Sequence, residues 1–426
     1  MDRLALHLTK LSRGLETSKC CDGGDIQALF LQYRSYFSSS CNSDGDIFVE
    51  REPSLLKPLN LAIKWQSHHG GPARQGRFYL WDSGLWNHSV RDSPLNRRAW
   101  VLQERLLAPR VLHFGKYLFW ECKSMAASEV MPTGKPRQDS CGHETFYPRL
   151  IQIIEQLSTM EDELSDDKKA LTKSAHDAWW DLVKKYSSCQ LTKDEDILVA
   201  IYGIASLMEK ALMDQYVGGL WRSTLLEDLL WRPYAMRSPR PTQPFPFRAS
   251  TWSWASLKGQ VFRANDPIPD AFYNGACVFL SEIMDVRIES AGAERNGQLK
   301  NGYLSVLGLT FEMACQETDF HGDELSFKIG HYTFGVDMYV DDFDWWEVFK
   351  ERRGADVVCM PILLTSSGGI SLHGLVIEPA PYGYPEEHFV RIGVFICLLQ
   401  AENQPDIEEF RLKIEEGQKR RTIVLV

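Results

Sequence analysis

The stretch PLNRRAWVLQERLLAPRVLHFGKYLFWECKSMAASE, residues 94–129, concentrates the strongest ordered signals in the chain. Asn96 has the chemistry of a helix N-cap, its side-chain oxygen able to accept from the free backbone N–H of Arg98 or Ala99. A helix is expected through Trp100, Gln103, Glu104 and Leu107, stopped by Pro109. RVLHF (110–114) and YLFWEC (117–122) then read as two strands. Gly115-Lys116 between them suits a two-residue hairpin turn.

Upstream of this core, LNLAIKW (59–65) alternates as a half-buried strand with Leu59, Leu61, Ile63 and Trp65 on one face, and RFYLW (77–81) is a second strand. Leu4, Leu8, Leu11 and Leu15 repeat at helical spacing, residues 26–37 form a second expected helix, and SSSCNSDGD (38–46) is a turn-rich loop. Downstream, residues 145–232 read as helical. Ile151, Ile154 and Leu157 repeat at near-helical spacing, as do Ala175, Trp179, Leu182 and Tyr186. Thr192 and Glu195 form a capping box, and GLWRSTLLEDLLW (219–231) is read as another helix. RSPRPTQPFPF (237–247) is an extended connector by composition. Trp252 and Trp254 alternate with Thr251, Ser253 and Ala255 as in a strand. Beyond about residue 272, strand follows strand to the last, RTIVLV (421–426), with a short helix expected at 407–418.

These signals divide the chain into five parts: an N-terminal segment (1–37), a mixed unit (38–144), a helical region (145–236), a proline-rich linker (237–249) and a β-rich unit (250–426). The fold class is α+β, closed by an antiparallel sandwich or barrel-like sheet.

Composition narrows the function. A net charge of -10 argues against a nucleic-acid binder, which needs a basic face. No apolar run reaches the ~20 residues of a membrane helix. The 10 cysteines are scattered without a C-x-x-C pair, and no signal peptide is recognised, so they are expected to be reduced, mostly buried thiols of a cytoplasmic protein. No metal site is expected: His68-His69 lacks a third ligand, and DDFDWWE (341–347) lacks the glycine and distal glutamate of a calcium loop, leaving a solvated turn as its reading. The 13 tryptophans, several in pairs or alternations, read as core-filling side chains, with a protein interface as the alternative.

The residues Pro94, Leu95, Arg98, Trp100, Gln103, Glu104, Arg105, Leu107, Ala108, Arg110 and Phe114, then Leu118, Trp120, Glu121, Cys122, Ala127, Ser128 and Glu129, closely resemble the late block of the fungal heterokaryon-incompatibility (HET) domain. Segments farther on resemble regions that usually follow that domain: Trp179 with Tyr186, Asp196 with Ala205, GLW (219–221), SWAS (253–256), GLVIEP (374–379) and RIGVF (391–395). The family's early blocks, a Y-x-x-L-S-Y-x-W-G-like and a D-x-x-C-I-x-Q-like segment, find no counterpart in residues 1–37. The expectation is an N-terminally truncated HET domain, from a truncated paralogue or misassigned first exons. The resemblance implies an incomplete α/β portion related to the Toll/interleukin-1-receptor fold. It also implies a role in non-self recognition and programmed cell death, with a protein partner or self-association. NAD enters only as a conceivable substrate, because relatives of the Toll-like fold raise the possibility of nucleotide cleavage; no resident cofactor is expected.

Within that frame, Glu104 is the candidate acid/base or ribose-contacting carboxylate, sharing a helix face with Trp100. Arg98, Gln103, Arg105, Arg110, Trp120 and Glu121 complete the candidate binding set. The competing reading makes Arg98, Glu104 and Arg110 a structural ion-pair set that anchors the hairpin, with Glu121 as partner of one of those arginines. His113 and Cys122 form a second candidate pair, base and nucleophile across the hairpin, against a reading as core packing. An intact nucleotide enzyme also needs a phosphate- or ribose-binding loop after an early strand, and no such motif is present.

Overall fold

A computed structural model describes residues 36–39, 59–65, 74–80, 84–115, 117–122, 126–130, 132, 146–160, 165–234, 248–263, 277–290, 297–318, 322–329, 332–335, 337–341, 357–366, 370–399 and 407–426. The chain forms two compact units, Met1–Thr159 and Met160–Val426. The expected helices of residues 1–35, the proline-rich 237–247, His68-His69 and Trp345-Trp346 lie outside the described residues.

The first unit is built on a four-stranded sheet in the order β1-β4-β5-β6, comprising β1 (Tyr36–Ser39), β4 (Arg110–Phe114), β5 (Leu118–Cys122) and β6 (Ala126–Ser128). β1 runs parallel to β4, whereas β4–β5 and β5–β6 are antiparallel. Residues 36–39, read as a helix end and a loop, are therefore a strand; pairing with the distant β4 overrides the local turn composition. β2 (Leu59–Trp65) and β3 (Arg74–Leu80) make a separate antiparallel hairpin. Ile63 on β2 is 39% exposed, so that position is not the buried one the alternation suggests.

Helix α1 (Ala99–Leu107) buries Ala99, Val101, Leu102, Arg105 and Leu106. It stops where Ala108 turns extended, as a residue before proline must. Asn96 is not its N-cap. Arg98 occupies that position in an extended conformation without a side-chain cap, and Asn96 lies in a preceding 3₁₀ turn, Leu95–Arg97. The buried Asn96 Nδ2 instead donates to the Val90 carbonyl at 2.7 Å and to Ser93 Oγ at 3.2 Å. Phe114 pairs with Leu118, so the connection spans residues 115–117, one longer than the expected Gly115-Lys116 turn. Helix α2 (Phe146–Thr159) closes the unit.

The second unit begins with α3 (Asp166–Ser187), capped by Ser165 Oγ accepting from the Lys168 N–H at 3.2 Å. Asp166 and Asp167 sit in its first turn and Lys184 and Lys185 in its last, each matched to the helix dipole. α4 (Val199–Leu212) starts beyond the expected capping box, whose Glu195 lies in a separate 3₁₀ turn, Asp194–Asp196. The 219–231 stretch is not one helix. Gly218 (φ 56) and Gly219 (φ 101) supply the two positive-φ positions of a tight hairpin joining β7 (Tyr216–Val217) to β8 (Leu220–Trp221). A short helix α5 (Leu225–Asp228) and strand β9 (Trp231–Pro233) follow, and β9 pairs with β10 (Val261–Arg263).

An eleven-stranded, mostly antiparallel sheet ends the chain. It contains β11 (Cys277–Phe279), β12 (Glu282–Ser290), β13 (Leu299–Gly308), β14 (Phe311–Thr318), β15 (Gly322–Ile329), β16 (Tyr332–Gly335), β17 (Asp337–Val340), β18 (Val358–Thr365), β19 (Ile370–Pro379), β20 (His388–Leu399) and β21 (Arg421–Leu425). Nine strands follow the order β12-β13-β21-β20-β19-β18-β14-β15-β16, with β11 on β18 and β17 on β20; among the described residues only the β20–β21 pair of this sheet is parallel. β18 and most of β19 are buried on both faces, as central strands should be, and helix α6 (Ile407–Glu415) adds Ile407 and Ile414 to their core. The antiparallel C-terminal unit and the helical region before it agree with the α+β reading.

Tryptophans bind this unit together. Trp179, Trp221, Trp231, Trp252 and Trp254 are fully buried. The Gly219 carbonyl accepts from both Trp179 Nε1 at 3.1 Å and Trp254 Nε1 at 2.8 Å. Trp252 and Trp254 are not on a strand: Ser253 Oγ accepts from the Ala255 N–H and opens a 3₁₀ turn, Trp254–Ser256. Their burial supports the core-filling reading.

Candidate functional site

Strand register decides what the motif assembles. Val111 lies opposite Glu121 and His113 opposite Phe119, so His113 and Glu121 are diagonal neighbours on one face of the sheet. Arg105, reaching over from α1, closes the group. Its Nε donates to Glu121 Oε2 at 2.7 Å and its Nη2 to Oε1 at 3.0 Å, a bidentate pair. His113 Nε2–H donates to the same Oε2 at 3.1 Å. Trp86 packs edge-on against both His113 (6.0 Å) and Phe119 (5.5 Å).

The electrostatics follow from burial. Burial alone would raise the Glu121 carboxyl, but the charge and hydrogen bonds of Arg105, with the His113 N–H, hold it at about 2. For His113, burial and the nearby Arg105 outweigh the pull of Glu121 and lower its pKa, leaving a neutral imidazole at pH 7. Such a carboxylate, with both oxygens occupied, is a weak base. The arrangement is a clamp between helix and hairpin. Of the sequence-derived candidates, Glu121 and Arg105 are brought together here; the arginine paired with Glu121 is Arg105, which lies outside the expected Arg98 and Arg110 set.

The other candidates lie elsewhere. Glu104 is exposed, and among the described residues its carboxylate enters no ion pair. Trp100 is 37% and Leu107 40% exposed, and positions 100, 104 and 107 fall within one narrow helical stripe. Arg98 is exposed and Gln103 half-buried. Arg98 and Glu104 form no ion pair among the described residues, so the set expected of Arg98, Glu104 and Arg110 is replaced by Arg105–Glu121. Arg110, half-buried, pairs in register with Cys122; His113 is thereby kept from standing opposite Cys122, and the proposed base–nucleophile couple does not form. Trp120 is buried, and its Nε1 has no partner among the described residues. Glu129, from the ASE segment, accepts the Leu118 N–H at 2.8 Å and ties the hairpin to its third strand.

Sequence reading missed Trp86 and the joining of His113 to Glu121. It also missed a buried cation in the second unit, within the RIGVF segment. Arg391 is fully buried, its guanidinium 3.3 Å from the centroid of the Trp231 ring. Its Nη2 donates to the Trp231 carbonyl at 2.5 Å and to Asp341 Oδ1 at 3.2 Å, while Nε and Nη1 have no hydrogen-bond partner among the described residues. Burial lowers this group to about 10 against the opposing pull of Asp341, so it stays charged. Asp341, expected in a solvated turn, is 2% exposed and ion-paired; the rest of 342–347 lies outside the described residues.

Among the described residues, no group of three or more His, Cys, Asp or Glu is placed to hold a metal ion, and no helix is long and apolar enough to cross a membrane. Comparison with protein-family models finds no match, and comparisons with curated proteins and with solved structures likewise find none.

Proposed function

We propose that the chain is a HET-type protein of non-self recognition and programmed cell death, acting through protein contacts made by the exposed stripe of α1. The observation that carries this reading is Trp100, Glu104 and Leu107 standing together on one open helix face, inside the segment that resembles the family. Exposed tryptophan and leucine at helical spacing suit a partner-binding surface, where tryptophan contributes disproportionately. In this reading the residues 38–144 are a partial, Toll/interleukin-1-receptor-like portion, the protein is cytoplasmic, and its partner is another protein or a second copy.

The nucleotide-cleaving alternative places NAD as substrate and Glu104 as acid/base. Its support is the family's relation to Toll-like folds. Against it, catalytic carboxylates are usually tuned by burial and neighbours, whereas Glu104 lies on an open face. The buried carboxylate of the motif, Glu121, is already saturated by Arg105 and His113.

The test is expression in a filamentous-fungal host with growth arrest as readout. Arrest is expected from the natural chain and from Glu104→Gln, and is lost in Trp100→Asp/Leu107→Asp. No arrest from the natural chain would favour an inactive paralogue that retains only the scaffold. Arrest lost in Glu104→Gln but kept in the double variant would overturn the contact reading in favour of chemistry.

A further inference from the structure

The large sheet of the second unit begins at an edge. Among the described residues, β12 is hydrogen-bonded to β13 alone and stands first in the strand order. Such an edge offers its outward backbone groups to any extended chain that fits. Val286 shows which groups those are. Its N–H donates to Asp285 Oδ1 at 2.9 Å instead of to β13, so Val286 faces outward. Orientation alternates along an antiparallel strand, and Ile288 and Ser290 therefore turn their N–H and C=O outward as well.

The side chains on this edge alternate in charge. Asp285, Arg287 and Glu289 share one face, which is open: Arg287 is 79% and Asp285 49% exposed at the side chain, and Glu289 is exposed. Arg287 Nε donates to Asp285 Oδ2 at 2.7 Å, and among the described residues its two Nη groups donate to nothing. Val286 and Ile288 lie on the other face, across from Leu304 and Gly302 of β13. There a cavity of about 340 Å3, bounded by Ile288, Tyr202 and Gln215, leaves room for the side chains of one more strand.

A bulge limits where regular pairing is possible. The register with β13 shifts between Ile283 and Asp285, so Met284 is the extra residue and the regular edge starts at Asp285.

We propose that β12 pairs antiparallel with β12 of a second copy of this chain, about a two-fold axis at Ile288. Ile288 exchanges both backbone hydrogen bonds with its counterpart, and the Ser290 N–H donates to the Val286 carbonyl of the partner subunit. Arg287 then stands opposite Glu289 of the partner subunit, and the symmetry forms the same favourable pair twice. The Val286 N–H stays on Asp285. An axis at Val286 would pair Arg287 with Asp285 instead, but it runs the ladder into the Met284 bulge and needs the N–H that Asp285 holds. Exposed ion pairs contribute little each, so the dimer is weak and grows with concentration. It rests on β12 alone and is independent of the α1 face.

The test is sedimentation velocity of the full chain at rising concentration, with Arg287→Glu and Glu289→Arg measured singly and mixed. The natural chain is expected to pass from monomer to dimer, with hydrogen exchange slowing at residues 288–290. Either variant sets like charges opposite each other twice and weakens the dimer about tenfold or more. An equimolar mixture restores it as a heterodimer, because every glutamate of one chain meets an arginine of the other. A charge needed only within its own chain would give no such rescue. The proposal is overturned if the natural chain stays monomeric, if its dimer is unchanged in either variant, or if the mixture stays monomeric. A dimer kept in Arg287→Glu but lost in Trp100→Asp/Leu107→Asp would assign self-association to α1 and overturn it as well.

Discussion

Replacing Arg105 by leucine isolates the clamp on which the hairpin depends. Glu121 is 13% exposed at its side chain, so it cannot recover its hydration when the guanidinium leaves. Holding its carboxyl at about 2 instead of 4.5 is worth about 3 kcal/mol, at about 1.4 kcal/mol for each tenfold. Breaking one side of a buried pair typically costs about 3–5 kcal/mol, because the survivor is left charged and unpaired. Arg105→Leu is therefore expected to lose about 3–5 kcal/mol at pH 7, read by urea unfolding and by hydrogen exchange in the 110–122 hairpin. The sign with pH follows from the depressed carboxyl. The contribution is fully present above about 4.5 and is lost as pH falls toward about 2, so the gap between natural protein and variant closes across that window. Arg105→Leu/Glu121→Leu, which removes both charges, should recover most of the loss. A single-variant loss below about 1 kcal/mol at pH 7, or a gap unchanged between pH 5 and pH 2, would refute the clamp.

Gly219→Ala is expected to lose about 3 kcal/mol or more, because φ is +101 and the new Cβ would stand 2.6 Å from Trp254 Nε1; thermal unfolding measures it. Arg391→Met takes the ion-pair partner from the buried Asp341 carboxylate and removes the stack on Trp231, and should lose about 3–5 kcal/mol, with Asp341→Leu in the same chain restoring part of it by the same assay. Glu104→Ala, on an exposed helix face, should change stability by no more than about 0.5 kcal/mol.

Much of the architecture is legible in the sequence wherever a local rule and the tertiary environment agree. Proline at 109 ends α1 where expected, and the apolar strands of the last third form the antiparallel sheet. The misreadings share one cause, long-range partners that override a local pattern. Trp252 and Trp254 alternate like strand residues, but their indoles are drawn to the carbonyls of Gly302 and Gly219 and the backbone turns to allow it. The 219–231 stretch has helical composition, yet Trp180 Nε1, the Trp221 N–H and Thr224 Oγ1 all converge on Asp228 and fix a hairpin and a single helical turn instead. Asn96 has capping chemistry that is spent on Val90 and Ser93. At the candidate site, a connection one residue longer than expected sets the register that places His113 beside Glu121. Sequence alone identifies Glu121 as an arginine's partner, but not Arg105 as that arginine, because the choice depends on how α1 lies over the sheet.

In the proposed reading Glu121 anchors the clamp and Glu104 stands on the open, contact-making face of α1, so neither carboxylate is catalytic. Nicotinamide release from NAD by the purified full chain, measured beside Glu104→Ala, tests it most directly. No release above background is expected from either protein. Sustained turnover by the natural chain that Glu104→Ala abolishes would contradict it and make Glu104 a catalytic residue.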